Sequence, residues 1–324
     1  MSTPASVLVE APARLHFGIL DLRGRLGRCF GGLGAAVPCP SLLIEAAPAD
    51  RVSAEGPDAD RAIEFAGRFL AYHRLSAGVH VIVHRAIPSH SGLGSGTQLA
   101  LAVARGLAEL HGLPTDAVEL ARSTGRGKRS AIGTWTFALG GFVVEGGRRP
   151  GSEKIAPLLA RFPIPPSWRC VVAVPSDGRG LSGDAEARAF DQLPSPPDEE
   201  VERVSHLVLM QLLPALVEED LPSFGDALSA VQRITGAWFA AQQGGTFAPG
   251  PTEQLVADMA RWGAAGVGQS SWGPAAYGLV ESESAAGALA RRVERVLGSR
   301  GQVFQGGFAA QGARVWSAQT ASPR

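Results

Sequence analysis

A glycine- and serine-rich segment between a predicted strand and a predicted helix limits most strongly how this chain can fold. Residues Gly78–His84 alternate valines with histidine and isoleucine, which is typical of a strand. The loop that follows has the sequence PSHSGLGSGTQ over residues 88–98, and apolar residues then recur at helical spacing from Leu99 to Leu110. This order places the loop at a helix N-terminus, where unpaired N–H groups and a partial positive charge stabilise an anion.

The loop therefore predicts a phosphate site. Its glycines allow the backbone to approach phosphate oxygens, and its hydroxyls can donate hydrogen bonds. The loop has neither the Walker ending nor the spacing of a dinucleotide-binding motif. A tight turn without a ligand is the alternative. The candidate phosphate-binding residues are Ser91, Gly92, Leu93, Gly94, Ser95, Gly96 and Thr97.

A second glycine-rich segment, Gly125–Gly133, carries three basic side chains in four positions. Arg126, Lys128 and Arg129 can together hold a phosphate or a carboxylate, and arginine can do so with two parallel hydrogen bonds. Because thirty basic and thirty acidic residues leave the chain without net charge, an overall basic composition does not explain this grouping. A solvated basic turn is the alternative interpretation.

Composition excludes several classes of protein. The balanced charge gives no reason to expect a nucleic-acid or membrane partner, and no apolar run approaches the roughly 20 residues of a membrane span. We see no signal peptide. Three cysteines without paired spacing predict neither a disulfide framework nor a zinc site, so a cytoplasmic location is expected.

The length of 324 residues predicts two domains. Strands are expected at Val7–Ala11 and Ser41–Ala46, with the glycine-rich Arg14–Pro38 between them as loops, and a helix at Asp58–Tyr72. Irregular, proline-marked Pro150–Pro166 is the expected boundary, which divides the chain into residues 1–165 and 166–324.

Six short motifs carry a resemblance to a known family. They are, in order, ARLHFG (13–18), GLGSGTQ (92–98), GRGKRSAIGT (125–134), GGF (140–142), GLSG (180–183) and QSSWGP (269–274). The phosphate loop resembles that of the GHMP superfamily of small-molecule kinases. Those kinases continue with serine and alanines, whereas this chain has Gly96, Thr97 and Gln98. The ordered set, spanning about residues 5 to 318, resembles the β-ribofuranosylaminobenzene 5′-phosphate synthases, non-kinase members of that superfamily.

The resemblance implies an α+β fold with a ribosomal-S5-domain-2-like N-terminal domain and an α/β sandwich C-terminal domain. It implies a decarboxylating C-glycosylation of 4-aminobenzoate by phosphoribosyl pyrophosphate, which releases carbon dioxide and pyrophosphate in tetrahydromethanopterin biosynthesis. Mg²⁺ is the implied cofactor and a homodimer the implied assembly. A GHMP-type kinase and a non-catalytic binding protein on the same fold are the alternatives.

The motifs also supply candidate residues for each role. Arg14, His16 and Arg129 are the catalytic candidates, and Arg126 and Lys128 join the loop in binding phosphate. Ser270, Ser271, Trp272 and Asp184 are candidates for substrate binding. Asp21 and Thr97 are candidate metal ligands. For His16, Asp21, Asp184 and Trp272 the alternatives are structural: a core histidine, a loop cap, a helix cap and core packing.

Overall fold

The computed structural model describes residues 5–178, 180–181 and 183–318 and, of Asp184 and Ala318, only the backbone. Within these residues the strands are β1 (Ser6–Asp21), β2 (Phe30–Ala49), β3 (Ser53–Glu55), β4 (Gly78–Arg85), β5 (Phe142–Glu145), β6 (Leu158–Phe162), β7 (Arg169–Pro175), β8 (Gly266–Gln269), β9 (Ala276–Val280), β10 (Gly301–Gly306) and β11 (Arg314–Ala318). The α-helices are α1 (Ala59–His73), α2 (Ser95–His111), α3 (Ala117–Ser123), α4 (Ile132–Leu139), α5 (Gly183–Asp191), α6 (Asp198–Leu207), α7 (Leu213–Val217), α8 (Leu221–Gln243), α9 (Pro251–Arg261) and α10 (Glu283–Leu297). A π-helical turn at Val208–Leu212 joins α6 to α7, and a short 3₁₀ turn at Gly298–Arg300 follows α10.

Of the described strands, seven form the first sheet, in which β2 is the central element. The order is β11-β1-β2-β4-β3, and the first part of β2 pairs in addition with β5, which continues to β6. Helix α2 packs on this sheet and is itself surrounded, because every residue from Leu99 to Ala104 is buried. Burial on all sides fixes the position of the helix and hence of the loop at its N-terminus.

The second sheet has the order β10-β7-β9-β8 and a different core on each face. Val171 and Ala173 of β7 pack with α9 and α10, while the alternating Val172 and Val174 join the main core. On that main-core side α8 comes very close to β8: a Cβ on Gly225 would collide with the backbone of Ala265. Because side chains alternate along β7, one face of the second sheet contributes to the same core as the first sheet. This shared main core links the two halves of the chain.

The prediction of loops over Arg14–Pro38 is wrong. Strands β1 and β2 pair through most of this segment, from Ala13 opposite Val37 to Asp21 opposite Phe30. The glycines are needed for packing: a Cβ on Gly34 would collide with the backbone oxygen of Leu15, and one on Gly32 would lie 3.0 Å from the oxygen of Gly18. Glycine here marks close contact between strands, not a turn.

Several other expectations are confirmed, including the helix at Asp58–Tyr72 and the strand at Gly78–His84. The basic segment Gly125–Gly133 ends earlier than expected because α4 begins inside it, and β6 lies within the predicted irregular Pro150–Pro166. The division at residue 165 stays a prediction, although strand β11 of the second half belongs to the first sheet. Among the described residues, no helix is long and apolar enough to cross a membrane.

Candidate active site

A cavity of about 620 Å³ opens where β1, the start of α2, α5, α8 and the loop after β8 meet the basic loop, which comprises residues 125–131 before α4. Six basic side chains line it, against two acidic ones, Glu64 and Glu186. In a chain without net charge, this excess makes the cavity a place for an anionic ligand.

Three guanidinium groups lie close together in the cavity wall, and we call Arg61, Arg68 and Arg126 the arginine cluster. The Arg126 side chain lies over the Phe65 ring, 4.7 Å from its centre, and its buried Nε has no hydrogen-bond partner. Burial, followed by repulsion from Arg61 and Arg68, lowers the pKa of Arg126 to about 10. The group stays charged at neutral pH, and a bound anion would relieve this repulsion.

The N-terminus of α2 points at the same place. A Cβ on Gly96 would collide with the Arg61 guanidinium and would lie 3.3 Å from Nη2 of Arg126. The helix therefore adds the partial positive charge of its N-terminus to the arginine cluster. The hydroxyl-bearing Thr97 of the first turn lines the cavity as well.

The segment 88–98, which we call the glycine loop, packs against Arg14 through its middle residues. Gly94 has a φ of +79°, and a Cβ there would lie 2.9 Å from Cγ of Arg14. Arg14 donates from Nη1 to the oxygen of Gly92, which also accepts from Ser270 Oγ at 2.8 Å. Burial lowers the pKa of Arg14 to about 10, an effect that Glu186 partly offsets. The loop thus holds Arg14 in place at the cavity wall.

The residues that depart from the kinase pattern connect the glycine loop to the basic loop. Buried Gln98 donates from Nε2 to the oxygen of Gly133 at 3.0 Å, and a Cβ on Gly133 would lie 3.0 Å from Cγ2 of Thr97. The absence of a side chain at Gly133 lets α4 approach Thr97 of α2 closely. Thr97 and Gln98 therefore connect the start of α2 to the start of α4.

His16 is buried and neutral. Its Nδ1 accepts a hydrogen bond from the Gly18 N–H at 3.4 Å, and its Nε2 lies 3.1 Å from Ser130 Oγ. Burial, with repulsion from Arg14 second, lowers the pKa of His16 to about 3. The imidazole is therefore held in one orientation and does not titrate near neutral pH.

Behind Ser130 lies Glu145, a carboxyl group with no exposed surface. It accepts from the N–H of Gly147 at 2.7 Å and of Ala131 at 3.4 Å. Burial raises its pKa to about 7, although these hydrogen bonds oppose the shift.

Another part of the cavity wall is aromatic, and we call Phe30, Phe190, Phe239 and Trp272 the aromatic wall. The rings meet edge to face, with centres 5.7 Å apart for Phe30 and Phe190, 5.5 Å for Phe190 and Trp272, and 4.7 Å for Phe239 and Trp272. The Arg129 guanidinium lies 5.2 Å from the centre of Phe190. An array of this kind suits a planar ring.

Comparison with known proteins identifies the family. Residues 60–141 match the model of the GHMP kinases N-terminal domain, and residues 212–298 match that of the GHMP kinases C-terminal domain. The chain is 34% identical to beta-ribofuranosylphenol 5′-phosphate synthase of Methanothermobacter thermautotrophicus, over 93% of this chain and 96% of that protein. It is 33% identical to the protein of the same name from Archaeoglobus fulgidus, over 90% and 93%. The chain belongs to the beta-ribofuranosylphenol 5′-phosphate synthase family.

Solved structures show that this synthase shares its fold with kinases. Mevalonate kinase from L. major superposes with a TM-score of 0.71 at 17% identity, covering 96% of this chain and 99% of that one. Homoserine kinase from Cytophaga hutchinsonii gives 0.68 at 17%, covering 98% and 99%. The predicted GHMP-type α+β fold is confirmed, and so are the predicted synthase family and the prediction of an enzyme.

The synthase fold brings eight of the seventeen predicted site residues to the surface of one cavity. The cavity is lined by Arg14, His16, Thr97, Arg126, Lys128, Arg129, Ser271 and Trp272. The other loop residues and Ser270 are not part of this lining, and Ser91 donates to the oxygen of Pro88 at 2.7 Å. Arg129 is already paired with Glu186 at 2.6 Å. Direct phosphate binding by residues Ser91–Gly96 stays a prediction, and the side chain of Asp184 lies outside the described residues.

Sequence reasoning missed the arginines of α1 and most of the aromatic wall. Arg61, Glu64 and Arg68 recur at intervals of three and four residues in a predicted helix, so they lie on one face. That spacing could have revealed the arginine cluster. Phe190 and Phe239 gave no such signal, because only the tertiary fold brings α5 and α8 together.

The proposed metal ligands do not meet. Thr97 lines the cavity of the synthase, whereas Asp21 lies outside its lining and accepts from the N–H groups of Arg23 at 2.6 Å and Gly24 at 2.9 Å. The two acidic residues of the cavity are paired with Arg68 and Arg129. Across the described ranges, no group of three or more His, Cys, Asp or Glu side chains is placed to hold a metal. These residues do not fit a protein-built Mg²⁺ site.

Proposed function

We propose that this enzyme transfers the ribosyl 5-phosphate unit of phosphoribosyl pyrophosphate to the ring carbon of 4-aminobenzoate that carries the carboxylate, with release of carbon dioxide and pyrophosphate. One observation supports it above others: a single cavity joins the arginine cluster to the aromatic wall. A ribofuranosylphenol phosphate, the product in the name of the relatives, contains a sugar phosphate and an aromatic ring. Both parts therefore have a matching environment.

The arginine cluster suits the leaving group, pyrophosphate. When the bond from the anomeric carbon to pyrophosphate breaks, negative charge grows on the leaving oxygen. Fixed guanidinium groups and the N-terminus of α2 stabilise that charge without reorganising. Arg61 is held for this purpose by Ser89 Oγ at 3.1 Å, and Arg126 has a donor still unused.

The aromatic wall suits the acceptor, 4-aminobenzoate. The ring carbon attacks the anomeric carbon, and loss of carbon dioxide then returns an electron pair to the ring, so no net proton transfer is needed. Holding the two carbons in line contributes several kcal/mol to catalysis. Arg129, which lies over Phe190, is placed to meet the carboxylate of an aryl acid.

Mg²⁺ remains part of the proposal as an ion that enters on the pyrophosphate. The described residues offer no cage for it, so the steps above are assigned to arginines and helix N–H groups alone. The homodimer and the cytoplasmic location stay predictions.

The experiment is a product assay by mass spectrometry with carboxyl-labelled 4-aminobenzoate. Labelled carbon dioxide is expected only with phosphoribosyl pyrophosphate present, together with a new aryl ribosyl phosphate. Because the relatives are named for a phenol, a parallel series with 4-hydroxybenzoate decides which para substituent is preferred. ATP in place of the sugar pyrophosphate tests the kinase alternative. Phosphoryl transfer with ATP and no decarboxylation would overturn the proposal.

A further inference from the structure

Asp58 precedes helix α1 in a conformation that is unusual for an aspartate at a helix start. Its φ of +58° and ψ of 25° are left-handed, and such a backbone is strained in any residue with a Cβ. Its backbone oxygen accepts from the N–H of Ala62 at 3.1 Å, but its side chain makes no capping hydrogen bond. By contrast, Asp116 and Asp220 cap α3 and α8 by accepting from backbone N–H groups. Asp58 is therefore strained and also lacks the usual stabilising role of an aspartate at this place.

The Asp58 carboxylate instead connects the glycine loop to the arginine cluster. Its Oδ2 accepts from Ser89 Oγ at 2.7 Å, and its Oδ1 lies 3.5 Å from Nη1 of Arg61. The same arginine nitrogen donates to Ser89 Oγ at 3.1 Å, so the three side chains form a closed triangle. Since only 21% of the Asp58 side chain and 27% of the Arg61 side chain are exposed, solvent weakens this ion pair less than it would at the open surface.

Arg61 needs an acidic partner because its other neighbours repel it. It lies near enough to Arg126 to contribute to the lowered pKa of that side chain. Its Nη2 lies against the first turn of α2, where a Cβ on Gly96 would collide with it. A cation is disfavoured at the positive end of a helix. Glu64, one turn further along α1, is paired with Arg68, so the carboxylate of Asp58 is the group that balances the charge of Arg61.

We propose that Asp58 is a positioning residue for the proposed reaction, which holds Arg61 over the N-terminus of α2 so that its guanidinium meets the pyrophosphate group of the substrate. The left-handed backbone directs the carboxylate to Arg61 and Ser89 and away from the helix N–H groups. The strain at Asp58 therefore belongs to the anion site and does not serve the helix. This inference rests on the anion-binding part of the proposed function.

The sign of the effect on binding distinguishes positioning from simple electrostatics. Asp58 places a negative charge close to a site for an anion. If nothing else moved, removal of this charge would strengthen anion binding, because like charges repel. If Asp58 holds Arg61, its removal lets the arginine turn into solvent, and binding weakens in spite of the lost repulsion.

The test is titration calorimetry of the full chain with inorganic pyrophosphate and with phosphoribosyl pyrophosphate. Asp58→Asn keeps the size of the side chain and tolerates the left-handed backbone, but it removes the charge. We expect its Kd for both ligands to rise about threefold to tenfold, with a melting temperature close to that of the wild type. Asp60→Asn, at an exposed position in the first turn of the same helix, is the matched charge control and should bind equally or more tightly.

A second pair of variants separates binding from stability. Asp58→Gly removes the carboxylate and relieves the backbone strain, so its melting temperature should stay equal or rise while its Kd rises as in Asp58→Asn. Arg74 follows the last turn of α1 at φ +55°, so Arg74→Gly gains the same relief and should keep the wild-type Kd. A lower melting temperature with an unchanged Kd in Asp58→Gly would show that Asp58 serves only the fold, and would overturn the inference.

Asp58→Asn combined with Arg61→Met decides whether Asp58 acts through Arg61. In the absence of Arg61, the asparagine should no longer weaken binding. Equal weakening with and without Arg61, or an unchanged or lower Kd in both Asp58 variants, overturns the inference.

The same measurements separate this inference from the proposed function. Weakened pyrophosphate binding in a protein whose wild type releases no carbon dioxide would support the inference and contradict the proposed function. Release of carbon dioxide by the wild type, with unchanged affinity in the Asp58 variants, would do the reverse. Wild-type protein that binds neither ligand would overturn both.

Discussion

Arg126 shows how a single side chain can oppose folding and still serve a site. It is desolvated, repelled by Arg61 and Arg68, and left with an unpaired Nε. Arg126→Met keeps the stem over Phe65 and removes the charge. Since a hydrogen bond to a charged group is worth about 1.5–3 kcal/mol, kcat/KM should fall roughly ten- to a hundredfold. The melting temperature should stay equal or rise, because the repulsion is gone.

The matched control for this prediction is Arg122→Met, on the exposed side of α3. Steady-state kinetics and thermal melts of both variants decide the matter. If Arg126→Met keeps the wild-type kcat/KM, the arginine cluster does not hold the substrate. If Arg126→Met also unfolds at a lower temperature than the wild type, the Arg126 charge stabilises the fold.

His16 yields a prediction about stability and pH. Its pKa is about 3 in the folded protein and about 6.5 in an unfolded chain, so below about pH 6.5 the unfolded chain binds a proton that the folded state refuses. This stabilising contribution is present above pH 6.5 and is lost as pH falls toward 3. Between about pH 7 and about pH 5 the loss should reach about 2 kcal/mol.

The measurement is the free energy of urea unfolding for wild type and His16→Gln at both pH values. Other titrating groups are present in both proteins and cancel in the comparison. The wild-type advantage should therefore shrink by about 2 kcal/mol at the lower pH. Parallel pH profiles would mean that His16 titrates normally in the folded state.

Among the elements, α2 begins and ends at a glycine with positive φ, which supplies an internally controlled test. Gly94 precedes the helix at φ +79°, and Gly112 follows it at φ +63°. Alanine at either position is strained by about 1 kcal/mol. A Cβ at Gly112 meets nothing within 4 Å, whereas one at Gly94 presses on Arg14. Both alanine variants should lose similar stability, but only Gly94→Ala should lower kcat/KM, by about tenfold.

Denaturant unfolding and steady-state kinetics of the two variants compare these effects directly. Equal kcat/KM in the two variants would show that a shift of Arg14 does not affect catalysis. A greater loss of kcat/KM in Gly112→Ala than in Gly94→Ala would contradict the prediction, because activity would then depend on the C-terminal end of α2.

Elements with regular hydrophobic periodicity could be predicted from the sequence. Elements whose residues are dictated by close packing against another strand could not. The valine alternation of β4 and the helical spacing of α2 each report burial on a face, which is a local property. The first part of β2 carries Gly32 and Gly34 because its partner strand leaves no room for a Cβ. The partner strand β1 imposes this requirement. Because the sequence of β2 alone shows only the glycines, this part of β2 is typical of a loop.

At the scale of the whole molecule, the motifs predicted which segments meet but not how. The glycine loop, the basic loop and the QSSWGP segment do converge on one cavity. The pairing of Arg129 with Glu186 and the burial of Glu145 depend on elements far apart in sequence. No motif could show them.

The last strand makes a prediction for the entire chain. Strand β11 pairs with β1 from Ser6 to Glu10, and Arg314 forms an ion pair with Glu10. A chain shortened to end at Ala313 loses this strand and exposes the edge of β1, which invites association with other chains. We expect a lower urea midpoint and larger species in size-exclusion chromatography. A chain ending at Ala318 keeps β11 and should behave as the full chain does; if both truncations match it, β11 is dispensable.

The crowding of the arginine cluster has a consequence for turnover. Guanidinium groups that repel one another are most stable with a polyanion between them, and in the proposed reaction the polyanion left at the end is pyrophosphate. A site that binds the leaving group tightly also releases it slowly. In that case the release of pyrophosphate would limit kcat at saturating substrate.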